Sequence, residues 1–168
     1  MTDFESALRA KLDRNAELAE QRAQAEHEMD RVERESAEAA ERERQEQHAA
    51  RRERHGELVD ALTKAAHGLK SNAPEEYVVR LGWTESREEF IAKISTRLVT
   101  PARSLLIELD RDDDEVLARW HTDLGNALEL WRLLEVGPPL LEELVLQVAD
   151  QDRWRQSRRP LPFPQPQA

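Results

Sequence analysis

The chain has 168 residues, 36% of them charged, 39% hydrophobic and 5% aromatic, with no cysteine and a formal net charge of −10. Against about 25% charged and about 45–50% apolar in an average globular domain, this composition disfavours a single compact ball and favours long exposed helix beside one modest core. Without cysteine there is no disulfide framework and no thiolate metal site, and no apolar run approaches the roughly 20 residues of a membrane-spanning helix.

The first ten residues lack the basic and apolar regions of a signal peptide, so a cytoplasmic protein is expected. Charge is unevenly placed: residues 1–56 carry 15 acids and 11 bases, 57–150 carry 19 and 10, and 151–168 carry 1 and 4. The acidic excess sits on the part able to form a core. Direct nucleic-acid binding is therefore not expected, because phosphate contacts need clustered Lys and Arg.

From Thr2 to His55 there is neither Pro nor Gly, and Ala, Glu, Arg, Gln and Leu dominate, all strong helix formers. Thr2 and Glu5 make a T-x-x-E capping box, so the spacing predicts one continuous helix over 1–56, about 80 Å long at 1.5 Å per residue. Heptad spacing gives a seam of Met1, Phe4, Leu8, Lys11, Asn15, Leu18, Arg22, Ala25, Met29, Val32, Ser36 and Ala39. The association seam is assigned to Phe4, Leu8, Asn15, Leu18, Ala25, Met29 and Val32, with Asn15 at an a position where a paired amide fixes register. In a parallel homodimer Glu28 would face Glu33 across the seam, which favours an antiparallel pair, a different partner or a short dimer over Phe4 to Leu18. Beyond Ala39 the seam positions fall to Glu43, Glu46 and Glu53, and the stretch reads as a solvated spacer. Its expected ion pairs are Glu38–Arg42, Arg34–Glu38 and Arg42–Glu46.

Gly56 is the first potential break. Residues 57–73 then read as a helix, with Leu58, Val59, Leu62, Ala65, Ala66 and Leu69 in a new phase, ending in a linker at Gly68, Ser71, Asn72 and Pro74. Residues 74–157 read as a small acidic domain. Glu75 to Leu81 fits a short helix or a strand equally. Ser86 and Glu89 form a capping box ahead of Phe90, Ile91, Ile94 and Leu98, which predicts a helix over 87–99, ended or kinked at Thr100 and Pro101.

Residues 104–136 admit two readings. As strands, Leu105, Ile107 and Leu109 alternate, then Val116, Ala118 and Trp120, with turns at 111–114 and 123–126. As helices, Leu117, Trp120, Leu124, Ala127, Trp131 and Leu134 step by three and four. Scarce β-branched residues after Val116 favour helices. Pro138 and Pro139 open a helix from 139 to about 156 with Leu140, Leu141, Leu144, Val145 and Val148 on one face. The tail, 158–168, has four alternating prolines and is expected to be polyproline-like or disordered. The expected fold is thus mainly α: a long N-terminal helix of coiled-coil type followed by a small helix-rich C-terminal domain. The alternative is an α+β C-terminal domain with a three-stranded meander over 104–134.

Chemistry is sparsely marked. Asp110, Asp112 and Asp114 resemble the start of an EF-hand calcium loop, but Glu115 stands where the sharp turn needs Gly and His121 where a bidentate Glu is needed, so an acidic turn is favoured. The five histidines, His27, His48, His55, His67 and His121, form no zinc spacing, and no glycine-rich phosphate loop or nucleophile elbow occurs. No enzyme, cofactor, metal, membrane or small-molecule substrate is expected. Trp154, with Arg158 and Arg159 close behind, is the candidate partner anchor. The expected function is a non-enzymatic scaffold or adaptor that self-associates, or docks another protein, through its N-terminal helix and presents an acidic domain. The alternative is an acidic regulator that fills the cationic site of a nucleic-acid-binding protein.

Overall fold

The computed structural model describes residues 2–167; Met1, the first residue of the expected seam, lies outside them. The chain forms two compact units, Met1–Gln47 and His48–Ala168. One helix, α1 (Asp3–Asn72), makes the first unit and opens the second. It starts where the capping box put it, with Thr2 Oγ1 accepting from the Glu5 N–H at 3.2 Å. It runs through Gly56 without a break, because the flanking residues from His55 to Ala66 bury an apolar stripe that holds the helical phase.

The second unit corrects the expected fold class. After α1 come five strands, β1 (Tyr77–Trp83), β2 (Glu89–Thr96), β3 (Arg103–Asp110), β4 (Glu115–Thr122) and β5 (Gly125–Arg132), and only then a 3-10 turn at Leu133–Glu135 and two helices, α2 (Pro138–Ala149) and α3 (Gln151–Gln156). The strands pair antiparallel in chain order, a simple meander. This C-terminal domain is not helix-rich. The three-stranded alternative had the right kind of element over 104–134; of the two strands before it, β1 settles the open choice at Glu75 to Leu81 in favour of a strand, and β2 was missed.

The expected helix over 87–99 is β2. Its inward residues are Phe90, Ala92 and Ile94, a period of two, and Leu98, which had completed a helical period, is a turn residue at φ 61 with 98% of its surface exposed. The Ser86–Glu89 box belongs to the β1–β2 turn, in which Thr84 N–H donates to Glu89 O at 2.9 Å and Arg87 takes φ 60. Helices over 104–136 give way to β3, β4 and β5. Gly125, at φ +124, lets β5 begin after only two intervening residues from the end of β4, in a conformation that a side chain would strain.

One face of the sheet carries the core. Phe90, Leu109, Val116 and Trp131 share one cross-strand row and Ile94, Leu105 and Trp120 another. On them lie Leu58, Leu62 and Ala66 of α1 and Leu141, Leu144 and Val148 of α2, all fully buried. The start of this section of α1 is tied down by polar bonds as well: His55 Nε2 donates to Leu109 O at 2.9 Å, and Arg54 Nη1 to Val136 O at 2.7 Å. The helix expected from 139 to 156 is two helices, since Asp150 leaves helical geometry and its side chain accepts from the Arg153 N–H, capping α3. The proline-rich tail has no helix or strand, in keeping with its prolines, but it is anchored: Leu161 is buried, Phe163 stacks on Trp120, and Gln147 Nε2 donates to Pro162 O at 3.0 Å.

Candidate interaction surfaces

Two surfaces and one buried centre carry the residues of interest. In the first unit every described residue is exposed, including Phe4 (72%), Leu8, Leu18, Met29 (63%) and Val32 of the expected seam, and Asn15 and Ala25 between them. Leu12, which falls outside the seam at an e position, is exposed too and lies one turn beyond Leu8, so Phe4, Leu8 and Leu12 form an i, i+4, i+8 run that widens the strip at its start. The helix closes its ion pairs elsewhere than expected: Arg14 with Glu17, Arg31 with both Glu28 and Glu35, and Arg44 with Glu41. These stand in place of Glu38–Arg42, Arg34–Glu38 and Arg42–Glu46. Arg31 thereby offsets part of the negative charge of two carboxylates beside the seam, Glu28 among them, which weakens the objection to a parallel pair.

In the second unit the candidate anchor Trp154 is a core residue. It is fully buried, its ring meets Trp120 edge-on at 4.9 Å, and its Nε1 donates to Gln147 O at 2.7 Å. Beside it lies Arg103, 1% exposed, which sequence reasoning did not single out. Its Nε and Nη2 donate to Val148 O at 3.0 and 2.7 Å, its Nη1 to Pro101 O and to Gln151 Oε1 at 2.9 and 2.8 Å, and its guanidinium stands over the Trp154 ring at 5.4 Å. Burial pushes this guanidinium below its ordinary range, partly offset by Tyr77 and Asp150. A cation on the last carbonyls of α2 is favourably placed against the helix dipole. One signal was available in the sequence: Arg103 is in phase with Leu105, Ile107 and Leu109, so a strand there must turn it inward. Arg158 and Arg159 are exposed.

The second surface is the sheet face opposite the core. All its described side chains are exposed or half-buried, and they are sorted by row. The four rows across the strands read, in order, Val78, Ser95, Ser104, His121, Asn126; Arg80, Lys93, Leu106, Arg119, Leu128; Gly82, Ile91, Glu108, Leu117, Leu130; and Glu89, Asp110, Glu115, Arg132.

The acidic run at the β3–β4 turn is a structural turn. Asp110 Oδ1 accepts from the N–H groups of Asp112 and Asp113, each at 3.1 Å, and Asp114 takes φ 55 with its carboxylate accepting from the Leu133 N–H. Among the described residues no three His, Cys, Asp or Glu side chains converge as a metal would require. The crowding has an electrostatic consequence. Asp110 pushes the Asp113 carboxyl above its ordinary range, while a hydrogen bond with Asp112 raises Glu88 and lowers Asp112. A carboxyl raised in the fold favours folding below its unfolded value, near about pH 4, and loses that advantage as the pH climbs through the raised folded value. Asp113→Asn is therefore expected to raise the melting temperature slightly at neutral pH and to leave it unchanged near pH 3. A thermal-melt series over pH checks this; a gain that is the same at both ends contradicts it.

No helix of the protein is long and apolar enough to cross a membrane among the described residues. No protein-family model, no curated protein and no solved structure matches the chain.

Proposed function

We propose that this is a protein-interaction module whose first unit pairs, helix to helix, with a second copy of itself, the second unit being the folded body that the pairing brings together. The observation that supports it is the strip of large apolar side chains left exposed along one helix, Phe4, Leu8, Leu12, Leu18, Met29 and Val32. An isolated helix gains little from propensity alone, and apolar residues repeated along one stripe are stabilised by packing on another helix. Asn15 within the strip then limits the register, and Arg31 reduces the repulsion between facing g and e positions. The absence of cysteine suits a reducing, cytoplasmic setting. Nothing in this reading uses a catalytic group, a cofactor or a nucleic acid.

The crowded carboxylates around Asp113 and Glu88 support a second reading, an acidic body that receives a cationic protein surface. Salt separates the two, because association through the apolar strip persists at high ionic strength and association through exposed charges fades.

The direct test is solution mass by light scattering for the full chain and for its Leu8→Glu, Leu18→Glu variant. Each seam leucine contributes about 1.5–3 kcal/mol when buried, so two charges on the strip are expected to weaken pairing by at least about a hundredfold and to lower the assembly order. Equal mass for both chains contradicts the helix-pairing reading.

A further inference from the structure

The open face of the sheet is unusual in how its side chains are sorted. Leu106, Leu117, Leu128 and Leu130 meet at one corner of β3, β4 and β5: Leu117 pairs directly with Leu130, and Arg119 stands between Leu106 and Leu128. Leu128 and Leu130 are each 51% exposed, and Ile91 continues the apolar surface toward β1. Such a face is not a solvated one, since the outward side of a sheet at a protein surface normally alternates polar residues against the inward core. Its charges are separated along the strand direction. On β2, Lys93 lies four residues from Glu89; on β4, Arg119 lies four residues from Glu115; on β3, between those two strands, Leu106 is followed by Glu108 and Asp110. Along the strands the face therefore runs from the uncharged row of Val78, Ser95, Ser104, His121 and Asn126, through a row with Arg80, Lys93 and Arg119 and a row with Glu108, to a row in which Glu89, Asp110 and Glu115 outnumber Arg132.

A surface with that order is complementary to itself under one symmetry operation. A twofold axis lying in the face and running across the strands reverses the strand direction, so it sets the Arg80–Leu128 row of one copy over the Gly82–Leu130 row of the other. Glu108 of the partner subunit then arrives over Leu106, between Lys93 and Arg119. Leu128 meets Leu130 of the partner subunit, and the symmetric contacts repeat. The other in-plane axis, along the strands, lays the basic row over itself and is excluded by like charge. Five strands at about 4.8 Å and a similar length along each strand give a face roughly 25 Å on a side, a footprint of about 600 Å2. That approaches the roughly 800 Å2 per partner of a standard specific interface. Sheets packed in this way, face to face with strands nearly aligned, form an ordinary sandwich.

We propose that the open face of the five-stranded sheet is the interface of a twofold dimer in which two copies pack face to face with antiparallel strands, Lys93 and Arg119 of each flanking the partner's Glu108. The surface is separate from the helix strip of the first unit, and neither assignment requires the other.

The test uses the full chain with Leu8→Glu and Leu18→Glu in place, so that helix pairing cannot mask the result. Light scattering on this chain is expected to give a dimer. Adding Glu108→Arg, or Lys93→Glu with Arg119→Glu, is expected to weaken that dimer by at least about tenfold, because like charges then face each other across the axis. Mixing the two charge-reversed chains in equal amounts restores opposite charges on both sides of the axis, and the dimer mass returns, which also shows that both variants are folded. Leu128→Ser with Leu130→Ser, on half-exposed positions of an edge strand, is a second route to the same loss. A chain that stays monomeric with only the strip disabled overturns the proposal. So does a dimer indifferent to the charge reversals, or a pair of reversed chains that fails to recombine.

Discussion

Trp154→Ala is expected to cost the second unit about 4 kcal/mol and to lower its melting temperature by roughly 15 °C. Three things are lost at once. The indole is fully buried and fills the space between α3 and the inward face of β4, where it meets Trp120 edge-on at 76°. Its Nε1 supplies the hydrogen bond to Gln147 O, so the carbonyl near the C-terminal end of α2 is left without that donor inside the core. Its ring also faces the Arg103 guanidinium, which would be left with a void on that side. Trp154→Phe separates volume from hydrogen bonding: it keeps most of the packing and removes the donor, and its cost is expected to be about 1–2 kcal/mol. Denaturant melts of the two variants decide the matter. A loss from the phenylalanine variant as large as from alanine would mean that the hydrogen bond, and not the filled volume, dominates at this position.

How far the sequence revealed the fold depends on which period each segment's apolar residues could be fitted to. α1 was legible because no Pro or Gly interrupts Thr2 to His55 and the capping box stands at its start; only its end was misjudged, since Gly56 costs a helix about 1 kcal/mol and tertiary burial of Leu58, Leu62 and Ala66 outweighs that. The opening of α2 was legible from Gly137 followed by two prolines. The sheet was not, for a reason visible in β4 and β5. Leu117, Trp120, Ala127 and Trp131 step by three, seven and four, which fits a helix. On strands, however, Leu117 faces outward while Trp120, Ala127 and Trp131 face inward. The open face carries leucines where a solvated face would carry polar residues, so the alternation that identifies a half-buried strand is erased. Leucine also stands where β-branched residues are usual, and the propensity rule pointed to helix although burial decides such positions.

The same feature explains what was missed at the candidate surfaces. An apolar outer face defeats the periodicity argument and is, physically, the second interaction surface. Heptad spacing was enough to pick out Phe4, Leu8, Leu18, Met29 and Val32 on α1, where no second packed face competes, but it passed over Leu12 at an e position. Trp154 was misread for the converse reason: its basic neighbours Arg153 and Arg155 are on the exposed side of a single-turn helix, while the ring itself turns inward.

Arg103→Met is expected to destabilise the second unit by about 3 kcal/mol, although methionine matches the length and the apolar surroundings of the site. The loss comes from acceptors. Val148 O receives two of the guanidinium's donors and Pro101 O and Gln151 Oε1 receive the third nitrogen, so methionine leaves the C-terminal carbonyl of α2 unmatched in the core and frees the β2–β3 connection that Pro101 belongs to. Arg103→Lys tests geometry against charge. An ammonium can satisfy one of these oxygens but cannot span all three in one plane, so about half of the stability is expected to return. Coupling to Trp154 is measurable by a double-mutant cycle with Trp154→Phe, and about 0.5–1 kcal/mol is expected for a guanidinium stacked over the larger indole face. Chemical denaturation of the four proteins gives these numbers together. A methionine variant as stable as the parent would show that the buried cation is tolerated by this core without holding it together, and a coupling of zero would remove the ring from the argument.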